Sequence, residues 1–113
     1  MSTKNRLIEL FALPKNESIF EDFSCALVEA IMKHGRMFIA ENHICFYATI
    51  MGIQTKKVIK VDEITNLEKK SMLGIFKNSI QITTKTTSYY FSSFSRRNTA
   101  FNLLYAVWKG EPL

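Results

Sequence analysis

Cysteine, proline, glycine and tryptophan are all scarce in this chain. Cys25 and Cys45 are the only cysteines. They lack CxxC spacing and both sit among apolar residues, which points to two reduced core thiols rather than a disulfide framework or a thiolate metal site. Reduced thiols fit a cytosolic compartment. Two prolines and four glycines leave no linker, repeat or low-complexity tract. No apolar run approaches the length of a transmembrane helix. The N-terminus has no basic region followed by an apolar run, so it is not a signal peptide. Membrane contact, if any, is therefore peripheral or made by parts outside this chain. Catalytic signatures are missing too: there is no nucleophile elbow, Gly-rich phosphate loop or HExxH motif. His34 and His43 have no metal-ligand spacing. The expectation is a non-enzymatic chain with no metal and no cofactor.

What is present is enough for one domain. The chain has 113 residues, 47% of them hydrophobic, which supports a single core and no second domain. The domain is taken as 1–113, with its core at about 10–109. The formal net charge is +5, and it is uneven. The first two dozen residues set Lys4, Arg6 and Lys15 against Glu9, Glu17, Glu21 and Asp22. The surplus therefore sits from Lys33 onward. Such a balance suits phospholipid headgroups, nucleic acid or acidic protein segments, or simply solubility.

The organising stretch runs from Gly35 to Tyr47. Met37 and Ile39 share one parity, and so do Ile44 and Phe46, as in two strands back to back. Glu41-Asn42 between them is a tight-turn pair, since Asn tolerates a left-handed backbone. Gly35 marks the start of this hairpin. Lys33, His34 and Arg36 then lie at one end and Glu41-Asn42 at the other. The loop Ile50-Met51-Gly52-Ile53 returns to the basic end.

Around the hairpin, Asn5 to Leu13 reads as a short helix or an irregular lead-in ending before Pro14. Asn16 is a plausible N-cap, with Glu17 suited to a helix dipole, for a short amphipathic turn carrying Ile19, Phe20 and Phe23. Ser24 to Met32 reads as the first strand, with mixed propensity. Thr55 to Val61, Ile64 to Lys70, Ser79 to Thr84 and Ser88 to Phe94 supply the later strands. Ile59, Val61, Ile80 and Ile82 face inward. Ser71 to Asn78 is a loop with an exposed-looking Ile75-Phe76 pair. From Ser95, an N-cap, the period becomes helical: Phe101, Leu104, Tyr105 and Trp108 form a stripe, with Gly110 and Pro112 ending it. Phe101, Leu104 and Trp108 are expected to be buried. Seven short antiparallel strands and one amphipathic helix give an α+β, mostly β architecture: an open barrel or sandwich capped by the helix.

Several segments resemble a known family in order. Ile19 to Leu27 resembles the opening of a GRAM domain. Gly35-Arg36-Met37-Phe38-Ile39-Ala40-Glu41-Asn42-His43-Ile44-Cys45-Phe46 has that family's GR-aromatic-x-x-EN-x-x-CF pattern. Ile64 with Glu68-Lys69-Lys70, Phe76 to Ile80, Phe91 to Phe94 and Ala100 to Trp108 continue it. Lys77 departs from the pattern, standing where many relatives have Pro. The resemblance covers about residues 10 to 109 and is nearest to the GRAM domains of Lam/Aster-type sterol-transfer proteins at membrane contact sites. It implies a pleckstrin-homology-like (PH-like) fold and a cytoplasmic module peripheral to membranes, binding phosphatidylserine or phosphoinositides. Sterol transfer is not carried over, because the sterol-binding domain and anchor of those relatives are not in this chain.

In such a fold the basic loops converge at the open end, where Arg and Lys can hold phosphate oxygens. That nominates Lys33, His34, Arg36, Lys56, Lys57 and Lys85 as lipid-binding residues. Met51 and Ile53 either dip below the headgroups or fold back onto the core. Lys69, Lys70, Arg96 and Arg97 form a second basic patch; Arg96 and Arg97, at a helix N-terminus unfavourable to cations, either reach a partner anion or are simply exposed, and exposure is the expectation. The expected partner is an anionic membrane lipid, with a peptide-binding PH-like module as the alternative. Nucleic acid is not an expected partner, and the isolated domain is expected to be a monomer.

Overall fold

A computed structural model describes residues 3–72 and 76–113. Helix α1 (Thr3–Phe11) precedes β1 (Ile19–Val28), β2 (Met32–Ala40), β3 (His43–Ile50) and β4 (Ile53–Lys60). A 3-10 turn, Val61–Glu63, leads to β5 (Ile64–Met72), β6 (Phe76–Thr84), β7 (Ser88–Ser92) and α2 (Arg97–Lys109). The strands form one antiparallel sheet in the order β4-β3-β2-β1-β7-β6-β5. β1 runs beside β2 over its whole length but pairs with β7 only at Ala26↔Ser92 and Leu27↔Phe91. It is the seam between two half-sheets, and β4 and β5 are the free edges. The seven-stranded, helix-capped, mostly β architecture is the one the residue pattern predicts.

The core lies inside this curved sheet. Phe23, Cys25 and Leu27 of β1 meet Met37 and Ile39 of β2, Phe46 of β3, and Ile80, Ile82 and Phe91 from the other half. Ala100 and Leu104 of α2 close it. A second apolar cluster sits on the outer face, where Phe11 and Leu13 cover Cys45 with Phe38 and Tyr47. The β2–β3 hairpin is thus buried on both faces, which is why Met37 to Ala40 and Ile44 to Tyr47 are nearly continuous apolar runs. Cys25 belongs to the inner cluster and Cys45 to the outer one. Burial pushes each thiol up to about 12, so neither is a reactive thiolate at neutral pH.

Several expected boundaries move. β1 starts at Ile19, not Ser24, and ends at Val28. Glu21 and Asp22 hid its first half, because they are weak strand formers on the solvent side. Asn16 caps no helix. Gly35 is not the start of the hairpin but the middle of β2, opposite Cys25. A Cβ there would lie 2.1 Å from the Tyr47 carbonyl oxygen and 2.8 Å from Ala48 Cβ, so only glycine lets the strands approach. α2 begins at Arg97, its N-cap position is Arg96, and no side chain caps it. Ser95 therefore does not serve as the cap. At its other end Gly110 adopts φ 69°, the left-handed stop expected. Leu104 is buried, while Phe101 and Trp108 are half-buried. β5 and β6 extend to Met72 and from Phe76, which shortens the expected loop. Ile75 lies outside the described residues.

Candidate functional site

The β1–β2 turn and the β3–β4 turn lie at one end of the first half-sheet. Arg36 pairs with Tyr47 and Met37 with Phe46, and continuing that register brings Met32 level with Met51. Four large apolar side chains are exposed here. Met51 is 96% exposed, Ile53 72% and Ile31 66%, with Met32 less so. Ile31 and Met32 were not singled out by sequence reasoning. Their signal, an apolar pair just before Lys33, was absorbed into an overlong first strand. Met51 and Gly52 both have positive φ, 51° and 80°, as in a two-residue hairpin turn whose twist matches the strands. Glycine adopts this readily and methionine does not. The Met51 side chain projects from that strained position into solvent, so Met51 and Ile53 do not fold back onto the core.

The basic residues behind these tips divide between two faces. Lys33 and Lys57 follow the inward parity of Met37 and Ile59 and sit, half-buried, at the mouth of the barrel. Both engage Glu29 of the β1–β2 turn: Lys33 Nζ lies 2.9 Å from one carboxylate oxygen and Lys57 Nζ 3.5 Å from the other. The hydrogen bond from Lys33, helped by both lysine charges, holds the Glu29 carboxyl below its ordinary value. Arg36 and Lys56 flank Tyr47 on the outer face. Arg36 pairs with Asp22 at 2.5 Å. Lys56 donates to the Leu10 carbonyl oxygen at 3.3 Å, fastening the last turn of α1, where a cation also suits the helix dipole. His34 is exposed on β2. Lys85 does not join either group by any of these bonds. Its backbone N–H donates to Glu63 O at 3.2 Å, placing it beside the β4–β5 turn.

At the opposite end, the tip of the β2–β3 hairpin holds a buried carboxylate. Glu17 is 2% exposed. It accepts from the Asn42 backbone N–H at 2.6 Å and from Asn42 Nδ2 at 3.2 Å, and His43 Nδ1 lies 3.1 Å away. Burial opposes its charge, but the bonds from Asn42 and His43 outweigh it and hold the carboxyl below its ordinary value. Glu17 therefore locks the hairpin turn rather than serving a helix dipole. A cleft of about 690 Å³ opens beside it, but its buried charge is already engaged. No local sequence signal marks this lock, because its partners are 25 and 26 residues away.

Comparison with known proteins places this arrangement in a family. The GRAM domain description matches residues 6–111. The chain belongs to the GRAM domain family. It is 46% identical over 97 residues to an uncharacterised membrane protein of Schizosaccharomyces pombe, covering 86% of this chain and 13% of that protein. It is 37% identical over 101 residues to human Aster-A, covering 89% and 14%. It is 34% identical over 97 residues to the membrane-anchored lipid-binding protein LAM5 of Saccharomyces cerevisiae, covering 86% and 14%. The chain thus spans about one-seventh of these curated relatives. Among solved structures, the C-terminal domain of a Leishmania infantum protein superposes with a TM-score of 0.80 at 25% identity, covering 96% and 99%. The N-terminal PH domain of Vps36 gives 0.69 at 13% identity, covering 87% and 83%, which shows the PH-like fold. Among the described residues, no helix is long and apolar enough to cross a membrane.

The second basic patch of this GRAM domain is tied into its own structure. Arg97 donates to Lys70 O at 3.1 Å and Ser79 O at 3.3 Å. Arg96 lies over the Phe23 ring, 4.7 Å from its centroid. Lys70 pairs with Glu68 at 2.8 Å, and Lys69 sits 5.2 Å from the Phe101 centroid. At the other end of α2, Trp108 Nε1–H donates to Ile64 O at 3.0 Å. Arg97 and Trp108 thereby occupy a carbonyl near each end of edge strand β5. A peptide adding to that edge would have to displace both bonds.

Proposed function

We propose that this GRAM domain docks on the surface of membranes containing anionic lipids, phosphatidylserine or phosphoinositides, through the end formed by the β1–β2 and β3–β4 turns. One observation carries the reading: Met51, Ile53 and Ile31 stand mostly exposed at that end, where Lys33 follows the β1–β2 turn and Lys57 reaches Glu29 of that turn. Apolar tips with cations behind them suit the boundary between acyl chains and headgroups. Inserting an exposed Met or Ile contributes about 1.5–3 kcal/mol, and each lysine near an acidic surface about 1 kcal/mol. The apolar contribution resists salt and the electrostatic one does not. The relative LAM5 is named as a membrane-anchored lipid-binding protein, which agrees with this reading. The bonds from Arg97 and Trp108 to β5 weigh against the peptide-binding alternative.

Sedimentation with neutral and acidic vesicles at low and high salt tests it. Wild type should bind acidic vesicles and lose affinity as salt rises. Ile31→Ser with Ile53→Ser should weaken binding while leaving the melting temperature nearly unchanged, since both side chains are already in water. Equal binding to neutral and acidic vesicles, or none, would refute the mechanism.

A further inference from the structure

The cluster at the barrel mouth deepens the membrane reading and rests on it. Lys33 and Lys57 come from β2 and β4, and Glu29 from the turn between β1 and β2. Two backbone segments, the β1–β2 hairpin and β4, thus deliver two ammonium groups and one carboxylate to the same place. The side chains of Lys33 and Lys57 are only 28% and 34% exposed, so water screens them less than free surface charges. A carboxylate and a phosphate offer the same chemistry to an ammonium group: anionic oxygens accepting charge-assisted hydrogen bonds. Glu29 already supplies those oxygens to Lys33 and Lys57.

We propose that Glu29 is a built-in competitor for lipid phosphate at this mouth. With no anionic surface nearby, it occupies Lys33 and Lys57. A headgroup phosphate gains those lysines only by loosening two existing ion pairs. A sparsely charged membrane then leaves the cluster closed, while a densely charged one opens it. Glu29 thereby sets the acidic lipid content at which the domain docks.

The test uses Glu29→Gln, which keeps size and shape but removes the charge, on phosphatidylcholine vesicles with graded phosphatidylserine. The variant should bind about five-fold tighter at a given acidic fraction, the effect of one charge near the surface. It should reach half-binding at a lower phosphatidylserine content and show a steeper salt dependence. Its melting temperature should stay close to wild type, since Glu29 is exposed. Asp62→Asn makes the same change in net charge at the β4–β5 turn and should give a much smaller gain. With Lys33 and Lys57 both changed to Gln, Glu29→Gln should gain no more than Asp62→Asn does. Inorganic phosphate at matched ionic strength should not release the protein from vesicles. Release of the Glu29→Gln protein would overturn the proposal in favour of a soluble-phosphate site. If wild type binds but Glu29→Gln gains no more than Asp62→Asn, the competitor proposal fails and membrane docking stands. If neither wild type nor Glu29→Gln binds acidic vesicles, both fail.

Discussion

Replacing Met51 by Asn should raise stability and lower membrane binding at once. Met51 holds φ 51° and is 96% exposed, so folding gains almost nothing from its side chain. The left-handed backbone costs an ordinary residue roughly 1–2 kcal/mol, and Asn escapes part of that through local hydrogen bonding. A gain of about 0.5–1 kcal/mol follows, or about 2–6 °C in melting temperature for a domain of this size. Binding should move the other way. A methionine buried among acyl chains contributes about 1.5–3 kcal/mol, so the variant should bind acidic vesicles roughly 10- to 100-fold more weakly. No charge changes, so the salt dependence should stay as in wild type. Thermal melting and vesicle sedimentation at two salt concentrations read both effects. A less stable variant would show that the turn is not strained. Undiminished binding would show that Met51 does not insert.

Three further outcomes are expected. Glu17→Gln should cost about 2 kcal/mol at neutral pH, because a buried charged acceptor becomes a neutral one. The folded pKa of Glu17 lies below its unfolded value, so its contribution is complete above about pH 4.3 and is lost as pH falls through the folded value. The gap between wild type and variant in urea melts should therefore close under acid, and a constant gap would contradict the lock. Gly35→Ala should cost about 3 kcal/mol or more by overpacking β2 against the Tyr47 carbonyl, read as a lowered urea midpoint with little soluble protein; a wild-type midpoint would refute the close approach. Trp108→Phe keeps an aromatic ring but loses the indole N–H and so frees Ile64 O; it should cost about 1 kcal/mol or more and speed amide exchange along β5, and unchanged exchange would mean Trp108 does not secure that edge.

The hairpin, the later strands and α2 were legible because their signals are local. Glu41-Asn42 specifies a turn by itself, Ile80 and Ile82 alternate, and Phe101 to Trp108 keep helical period. What escaped was set by distant neighbours. Glu17 looks like a surface acid until Asn42 and His43 fold over it. Gly35 looks like punctuation until the Tyr47 carbonyl arrives beside it. The basic residues of the candidate site were visible as charges, but Asp22 as the partner of Arg36 and Glu29 as the partner of Lys57 were not, since strand pairing brings them together. Parity along β4 did hold a clue: Lys57 shares the face of Ile59, which turns it toward the barrel mouth while Lys56 turns outward. Two cations at a helix start are unfavourable to its dipole, so Arg96 and Arg97 read either as exposed or as reaching a partner anion; Arg96 is indeed exposed, lying over the Phe23 ring, while Arg97 is half-buried and spent on carbonyls.

The outer cluster under α1 has a consequence for the order of folding. A helix of nine residues is too short to persist alone in water, where roughly 12–15 are marginal. Until β2 and β3 pair, α1 has no surface to form on. Until α1 docks, Phe38, Cys45 and Tyr47 face water on one side of that hairpin. The two are therefore expected to appear as one cooperative unit, with Lys56 reaching the Leu10 carbonyl only when β4 joins. Amide protection in α1 would then report the completion of the β2–β4 half-sheet, not the helical propensity of its own residues.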